Sequence, residues 1–107
     1  MSIFSSKASA PTPASPAGDP TVIDVRSPGE FAMGHVQGAV NLPLDRFAQE
    51  IKKLVPDRAT ALMLYCASGA RSGMACNVLQ QLGYQNIVNG CNAGIVCQEL
   101  KRPIHRI

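Results

Sequence analysis

From residue 20 onward, short apolar runs alternate with longer segments in which apolar residues recur at helical spacing. Nearly continuous apolar runs are typical of strands that are buried on both faces of a parallel sheet. The pattern therefore predicts four strands, at residues 21–25, 39–42, 62–65 and 87–89.

The first helix is indicated by its capping residues. Ser27 is a good N-cap, and Glu30, three residues later, completes a capping box. Pro28 suits the first helical turn. A short helix is therefore expected to begin after Ser27 and to end near Gly34, followed by a turn over residues 35–38.

Three further helices follow from the 3.6-residue spacing of apolar positions. They are expected at residues 44–54, 72–82 and 93–100. Gly83 ends the second of these as a C-terminal cap. Gly90 is expected to turn the chain between the fourth strand and the last helix.

This alternation of strands and helices implies an α/β fold. We expect three layers: a mainly parallel central sheet of four or five strands, with helices on both faces. In open sheets of this kind, ligands bind beyond the carboxyl ends of the strands. Cys66 follows the third predicted strand, so it lies where a ligand is expected.

The segment Cys-Ala-Ser-Gly-Ala-Arg-Ser, from Cys66 to Ser72, connects that strand to a helix. Its small residues allow a tight loop whose backbone N–H groups point inward and bind an anion. The following helix N-terminus adds to this positive potential, and so does Arg71. Such surroundings lower the pKa of a thiol. The segment therefore predicts a nucleophilic thiolate and an anionic substrate.

Cys66 has several alternative interpretations. A buried thiol with a purely structural role is common in proteins. A phosphate-binding loop of the Walker type is excluded because no Gly-Lys-Ser/Thr follows, and no Cys-x-x-Cys redox pair is present. A cysteine phosphatase places five residues between its Cys and Arg, whereas four separate Cys66 from Arg71.

Composition restricts the domain organisation and the classes of function that the chain can have. Residues 1–19 are rich in Ala, Pro and Ser and predict a flexible tail, which leaves residues 20–107 as one domain. The net charge of +3 is mild and aromatic residues are few, so nucleic-acid binding is not expected. The four cysteines lack zinc-site spacing, and we expect free thiols and no metal.

No apolar stretch is long enough to span a membrane, and the first residues lack the apolar core of a signal peptide. We therefore expect a cytoplasmic protein that does not engage a membrane, or a periplasmic one if a native leader has been removed. A monomer is expected.

Three separated motifs, in order, resemble a single-domain rhodanese, and most closely the short phage-shock-protein E type. They are Val-Ile-Asp-Val-Arg-Ser-Pro-Gly-Glu-Phe at 22–31, Gly-His-Val-Gln-Gly-Ala-Val-Asn-Leu-Pro at 34–43 and Tyr-Cys-Ala-Ser-Gly-Ala-Arg-Ser at 65–72. The resemblance covers about residues 21–90 and implies a rhodanese-like fold.

The resemblance also implies a sulfurtransferase that needs no cofactor. The Cys66 thiolate would take the outer sulfur of thiosulfate, release sulfite and leave a cysteine persulfide. Cyanide or a thiol would then accept the sulfur, in ping-pong order. The anionic donor would be bound by the loop residues that follow the cysteine: Ala67, Ser68, Gly69, Ala70, Arg71 and Ser72.

The same resemblance implies structural roles for further residues. Asp24 and Arg26 would pair near the carboxyl edge of the sheet; the alternative for each is a solvated charge. His35 would be a structural turn residue, and His105 is expected to be solvated.

The sequence departs from the family pattern after the fourth strand. There the family often has Gly-Gly and an aromatic residue, whereas this chain has Gly90-Cys91-Asn92. Cys91 follows a strand that should neighbour the Cys66 strand. The hypothesis is that Cys91 resolves a Cys66 persulfide or sulfenate as a disulfide; the alternative is a small buried thiol.

Two other functions remain open. One is a phosphatase or arsenate reductase on the related fold, which would favour a longer loop. The other is a non-catalytic module that binds a protein partner, or a persulfide carrier that serves one.

Overall fold

The computed structural model describes residues 19–107. Residues 1–18, to which the prediction of a flexible tail mostly applies, lie outside the described part. In chain order, the elements are β1 (Thr21–Asp24), α1 (Pro28–Met33), β2 (His35–Val36), β3 (Val40–Asn41), α2 (Leu44–Leu54), β4 (Ala61–Cys66), α3 (Ala70–Gln81), β5 (Asn86–Asn92), α4 (Ala93–Leu100) and β6 (Ile104–His105).

The central sheet has four parallel strands in the order β3-β1-β4-β5. Alternate residues of its strands point to opposite faces. Ile23 and Leu64 enter one core with Phe47 of α2 and Leu79 of α3. On the other face, Val22 and Tyr65 pack against Val96 of α4. The predicted α/β fold, with a mainly parallel sheet between two helical layers, is confirmed.

Local signals in the sequence account for the start of α1. The Ser27 hydroxyl accepts a hydrogen bond from the Glu30 N–H at 3.3 Å, and the Glu30 carboxylate accepts one from the Ser27 N–H at 3.1 Å. Both halves of the predicted capping box are thus formed, with Pro28 in the first turn. The predicted bounds of α2 and α4 are also confirmed.

Helix α3 begins at Ala70, two residues before its predicted start. The reason lies at Gly69, which takes a left-handed conformation with φ 99°. That single positive φ turns the chain from the loop directly into the helix. The last residues of the predicted loop, from Ala70 onward, therefore belong to the first turn of α3.

Two predicted turns differ from the structure. The turn expected over residues 35–38 is formed by Gln37 and Gly38 alone, because His35 and Val36 form β2. Strand β2 pairs with β6 in a separate antiparallel sheet, with Val36 opposite Ile104 and His35 opposite His105. Gly90 is buried inside β5 and does not turn the chain. A Cβ at Gly90 would lie 2.5 Å from Cγ2 of Val96, so glycine is needed there because α4 packs closely over the strand.

Strands β4 and β5 place two cysteines at diagonally neighbouring positions. Tyr65 is the register partner of Cys91, and Cys66 is the partner of Asn92. The register shifts by one residue next to Tyr65, which is the mark of a β-bulge. Within residues 19–107, no helix has the length and apolar character needed to cross a membrane.

Candidate active site

Cys66 is the last residue of β4, and its thiol lies inside the loop that leads into α3. Only 1% of the residue is exposed. The Gly69 N–H donates to Sγ at 3.0 Å, and the Ser72 hydroxyl lies 3.6 Å from the same sulfur. Fold and loop thus place a buried sulfur at the carboxyl end of the sheet, surrounded by hydrogen-bond donors.

These donors control the acidity of the Cys66 thiol. Burial by itself would raise its pKa, since a thiolate is poorly solvated inside a protein. Hydrogen bonds from the backbone and hydroxyl of Ser72, and from the backbone of Ser68 and Gly69, outweigh burial and lower the pKa to about 7. A large fraction of Cys66 is therefore ionised near neutral pH.

The Ser72 hydroxyl is held by Asn89 of β5, a residue that the sequence analysis did not single out. Ser72 Oγ lies 2.7 Å from Asn89 Oδ1, while Asn89 Nδ2 donates to the Gly69 carbonyl at 3.1 Å. Asn89 Oδ1 also accepts the Cys91 N–H at 3.0 Å. One amide thus joins the loop, the helix and the neighbouring strand. A single polar residue in a strand gives no signal of this role.

Arg71 is tied to α1. Its Nη1 and Nη2 donate to the two carboxylate oxygens of Glu30 at 2.9 and 3.1 Å. The positive charge that the sequence predicts at Arg71 is therefore paired with a carboxylate, a partner that its own segment does not indicate. The acidity of Cys66 comes mainly from hydrogen bonds to its sulfur.

An open groove of about 400 Å³ borders this ion pair. Its lining includes Arg71 and Ser27, and also Leu44, Asp45 and Arg46 of α2. Arg46 is half exposed and pairs with Glu50 at 3.6 Å. The groove is therefore bordered by two guanidinium groups, each paired with a carboxylate, and by the carboxylate of Asp45.

Ala67, Ser68 and Ala70 expose their small side chains to solvent. The polar groups that lie against the buried sulfur are the Gly69 N–H and the Ser72 hydroxyl. Donors of this kind suit an anion of small size.

Asp24 and Arg26 form a partly buried ion pair at the carboxyl edge of β1. Arg26 Nη2 lies 2.7 Å from Asp24 Oδ2 and also donates to the Gly34 carbonyl at 2.6 Å. Asp24 is fully buried. The alternative of two solvated charges is therefore wrong, and the pair links β1 to the end of α1.

His35 lies in β2, away from the loop. Its ring stacks on Phe31 with the ring centres 3.6 Å apart, and Nδ1 lies 2.8 Å from the Phe31 carbonyl oxygen. His105 is exposed, as expected, and meets the His35 ring edge-on at 5.3 Å. His35 is thus buried in a strand and does not form the predicted turn.

Cys91 lies beside the loop in a left-handed conformation, with φ 72°. Its sulfur lies 3.5 Å from the point that a Cβ on Gly69 would occupy. Cys91 is partly exposed, as are Cys76 and Cys97, and all four thiols are free. Burial raises the pKa of Cys76 and of Cys97. The described residues contain no group of three or more His, Cys, Asp or Glu arranged to hold a metal ion.

Comparisons with known proteins agree with this fold and this loop. The family described as "Rhodanese-like domain" matches residues 13–95. Over 67 residues, 63% of this chain and 64% of the relative, the sequence is 40% identical to "Thiosulfate sulfurtransferase PspE" of Escherichia coli strain K12. It is 40% identical over 81 residues, 64% of this chain and 58% of the relative, to "Thiosulfate:glutathione sulfurtransferase" of Saccharomyces cerevisiae.

A solved structure, "rhodanese with anions from E. coli", superposes with a TM-score of 0.73 at 31% identity. The match covers 83% of this chain and 100% of that one. By contrast, the chain spans less than two thirds of the length of the two curated relatives. The expected resemblance is confirmed, and the chain belongs to the rhodanese family.

Proposed function

We propose that the protein is a sulfurtransferase that carries sulfane sulfur on Cys66. The thiolate attacks the outer sulfur of thiosulfate, a new S–S bond forms, and the bond to the sulfonate breaks with its electron pair leaving on sulfite. Cyanide or a thiol then attacks the outer sulfur of the persulfide and returns the Cys66 thiolate. Because the two half-reactions are separate, the kinetics are ping-pong.

The observation that carries this proposal is the setting of the Cys66 sulfur. A thiol whose pKa is about 7 is partly ionised at neutral pH yet keeps more nucleophilic strength than a strongly acidic thiol. The Gly69 N–H, 3.0 Å from Sγ, is already placed to stabilise negative charge on sulfur. The persulfide anion formed in the first half-reaction needs the same donors.

The groove beside Arg71 supports an anionic donor. Arg71 and Arg46 line it together with Asp45, and the nearby loop residues 67, 68 and 70 have small, exposed side chains. The names of the two relatives, which specify thiosulfate, support the same donor class. A phosphate ester is less favoured because the loop has four residues between Cys66 and Arg71.

Intact-protein mass spectrometry tests the proposal. The reduced protein is incubated with thiosulfate, with Cys66→Ser as the control. We expect the mass of one added sulfur atom in the parent protein, none in the control, and loss of that mass with formation of thiocyanate when cyanide is added. A folded, reduced protein that gains no sulfur from thiosulfate or from a low-molecular-weight persulfide would overturn the proposal in favour of a binding module.

A further inference from the structure

Cys91 is a second thiol placed against the loop that holds Cys66. Both sulfurs lie near Gly69: its N–H donates to Cys66 Sγ at 3.0 Å, and Cys91 Sγ lies 3.5 Å from the position that a Cβ on Gly69 would occupy. Glycine has no Cβ there, so no side chain of residue 69 separates them. The described part of the chain thus brings two nucleophilic side chains to one loop.

The register of β4 and β5 fixes the backbone separation of the two cysteines. Cys91 is the partner of Tyr65, and Cys66 is the next residue along β4. Neighbouring strands lie about 4.8 Å apart and each residue advances about 3.3 Å, which puts the two Cα atoms about 6 Å apart. Disulfides join Cα atoms separated by about 4.4–6.8 Å. The backbone separation of the two cysteines therefore lies within the range found in disulfides.

The conformation of Cys91 differs from that of an ordinary strand residue. A φ of 72° is one that glycine adopts freely and that other residues adopt at a cost. The Cys91 N–H is held in this position by Asn89 Oδ1, and the same amide holds the Gly69 carbonyl through Nδ2. Asn89 thereby keeps Cys91 and the loop in a fixed relation.

We propose that Cys91 is a resolving thiol that removes the sulfane sulfur from Cys66 when no acceptor takes it. This inference rests on the proposed function, because it needs the persulfide. The Cys91 thiolate attacks Cys66 Sγ, a disulfide forms between the two cysteines, and the bond to the outer sulfur breaks. The outer sulfur leaves with the electron pair as hydrosulfide.

The step needs no external oxidant. The outer sulfur is reduced to hydrosulfide, and the two cysteine sulfurs are oxidised to a disulfide. A dithiol reductant then returns both thiols. The resulting disulfide protects Cys66 from oxidation beyond a reversible state.

The first experiment follows the persulfide over time in the absence of acceptor. The protein is loaded with thiosulfate, freed of excess donor, and measured by intact mass while released hydrosulfide is quantified. We expect the parent protein to lose the added sulfur, to end two hydrogen atoms lighter than the reduced protein, and to release one hydrosulfide per chain. Cys91→Ser is expected to keep its persulfide at least tenfold longer.

Cys91→Gly serves as a second variant, since glycine adopts the backbone conformation of residue 91 without cost. Cys97→Ser is the matched control, because Cys97 is also a partly exposed free thiol but lies on α4. Equal persulfide lifetimes in the parent and both Cys91 variants would overturn the inference and leave the proposed function intact. If the parent protein itself never gains sulfur, the proposed function fails and this inference fails with it.

A second experiment does not depend on sulfur transfer. The folded, reduced protein is oxidised with diamide, digested without reduction and analysed by peptide mass spectrometry. A peptide pair joined through Cys66 and Cys91 supports the inference. Disulfides that leave Cys66 unpaired with Cys91, or only links between chains, contradict it.

Discussion

Arg71 and Glu30, forty-one residues apart in the chain, form an ion pair with two parallel hydrogen bonds of 2.9 and 3.1 Å. Glu30 also accepts hydrogen bonds from the N–H and hydroxyl of Ser27, so one carboxylate both caps α1 and holds the loop that follows Cys66. Arg71 follows the left-handed Gly69 and lies in the first turn of α3. The position of the loop therefore depends on the start of a different helix.

This arrangement predicts that Arg71 acts through geometry as well as charge. Lysine keeps the charge but cannot make two parallel hydrogen bonds to one carboxylate. Loss of a charge-assisted hydrogen bond corresponds to about 1.5 kcal/mol, so Arg71→Lys should lower kcat/KM for thiosulfate roughly tenfold. Steady-state kinetics checks this. If Arg71→Lys has full activity and Arg71→Ala does not, charge alone matters and the geometric role is refuted.

Glu30 provides a prediction about acid stability. The Arg71 guanidinium, together with the backbone of Ser27, lowers the pKa of Glu30 to about 2. A carboxyl with a lowered pKa stabilises the fold above its unfolded value of about 4.3, and this contribution is lost as the pH falls through the folded value. Urea unfolding of the parent and of Glu30→Gln should therefore show a stability difference at pH 7 that disappears as the pH approaches 2. A difference that does not change with pH would show that the charge of Glu30 is irrelevant.

The titration of Cys66 provides a prediction about reactivity. With a pKa of about 7, its alkylation rate by iodoacetamide should rise with pH and reach half its maximum near pH 7. Ser72→Ala removes the hydroxyl that lies 3.6 Å from the sulfur, so the midpoint should shift to higher pH. Alkylation at Cys66 is followed by peptide mass spectrometry, which separates it from the other thiols. An unchanged midpoint in Ser72→Ala would assign the low pKa to backbone donors alone.

The buried ion pair at the edge of the sheet has a structural role that can be measured. Asp24 is fully buried and receives hydrogen bonds from the Arg26 backbone and side chain. Asp24→Asn leaves the Arg26 charge, which is largely buried, without its counter-ion, and breaking such a pair costs about 3 kcal/mol. Chemical denaturation at pH 7 measures this loss. The paired change Asp24→Asn with Arg26→Met should recover part of it, since no uncompensated charge remains.

The sequence predicted the parts of the fold that depend on local signals. The capping box at Ser27 and the apolar spacing of α2 are written within a few consecutive residues, and both were predicted correctly. The strand, tight loop and helix around Cys66 were also predicted, because small residues between an apolar run and a helical pattern favour a tight loop. Each of these predictions depends on residues that are close together in the sequence.

The parts that were missed depend on partners distant in the chain. The pairing of His35 with His105 joins residues that no local pattern relates, so β2 was taken for a turn. The pairing of Arg71 with Glu30 was not predicted because nothing in the Arg71 segment indicates Glu30. Asn89 was not predicted because its contacts with Ser72 and Gly69 form only once β5 lies beside the loop.

The role of Gly90 also depends on a partner distant in the chain, and this residue gives a direct test of the packing between β5 and α4. Its missing side chain was interpreted as a turn, whereas a Cβ there would overlap Val96 at 2.5 Å and crowd Met63 at 3.1 Å. Overfilling a packed core costs about 1–3 kcal/mol, so Gly90→Ala should lower the free energy of unfolding by about 2 kcal/mol.

Gly29→Ala is the matched control, since a Cβ there meets nothing within 4 Å and alanine favours the helical conformation of α1. Denaturant unfolding of both variants should show a loss of stability at residue 90 and none at residue 29. A loss of equal size at both positions would mean that Gly90 matters for its backbone freedom and not for its contact with α4.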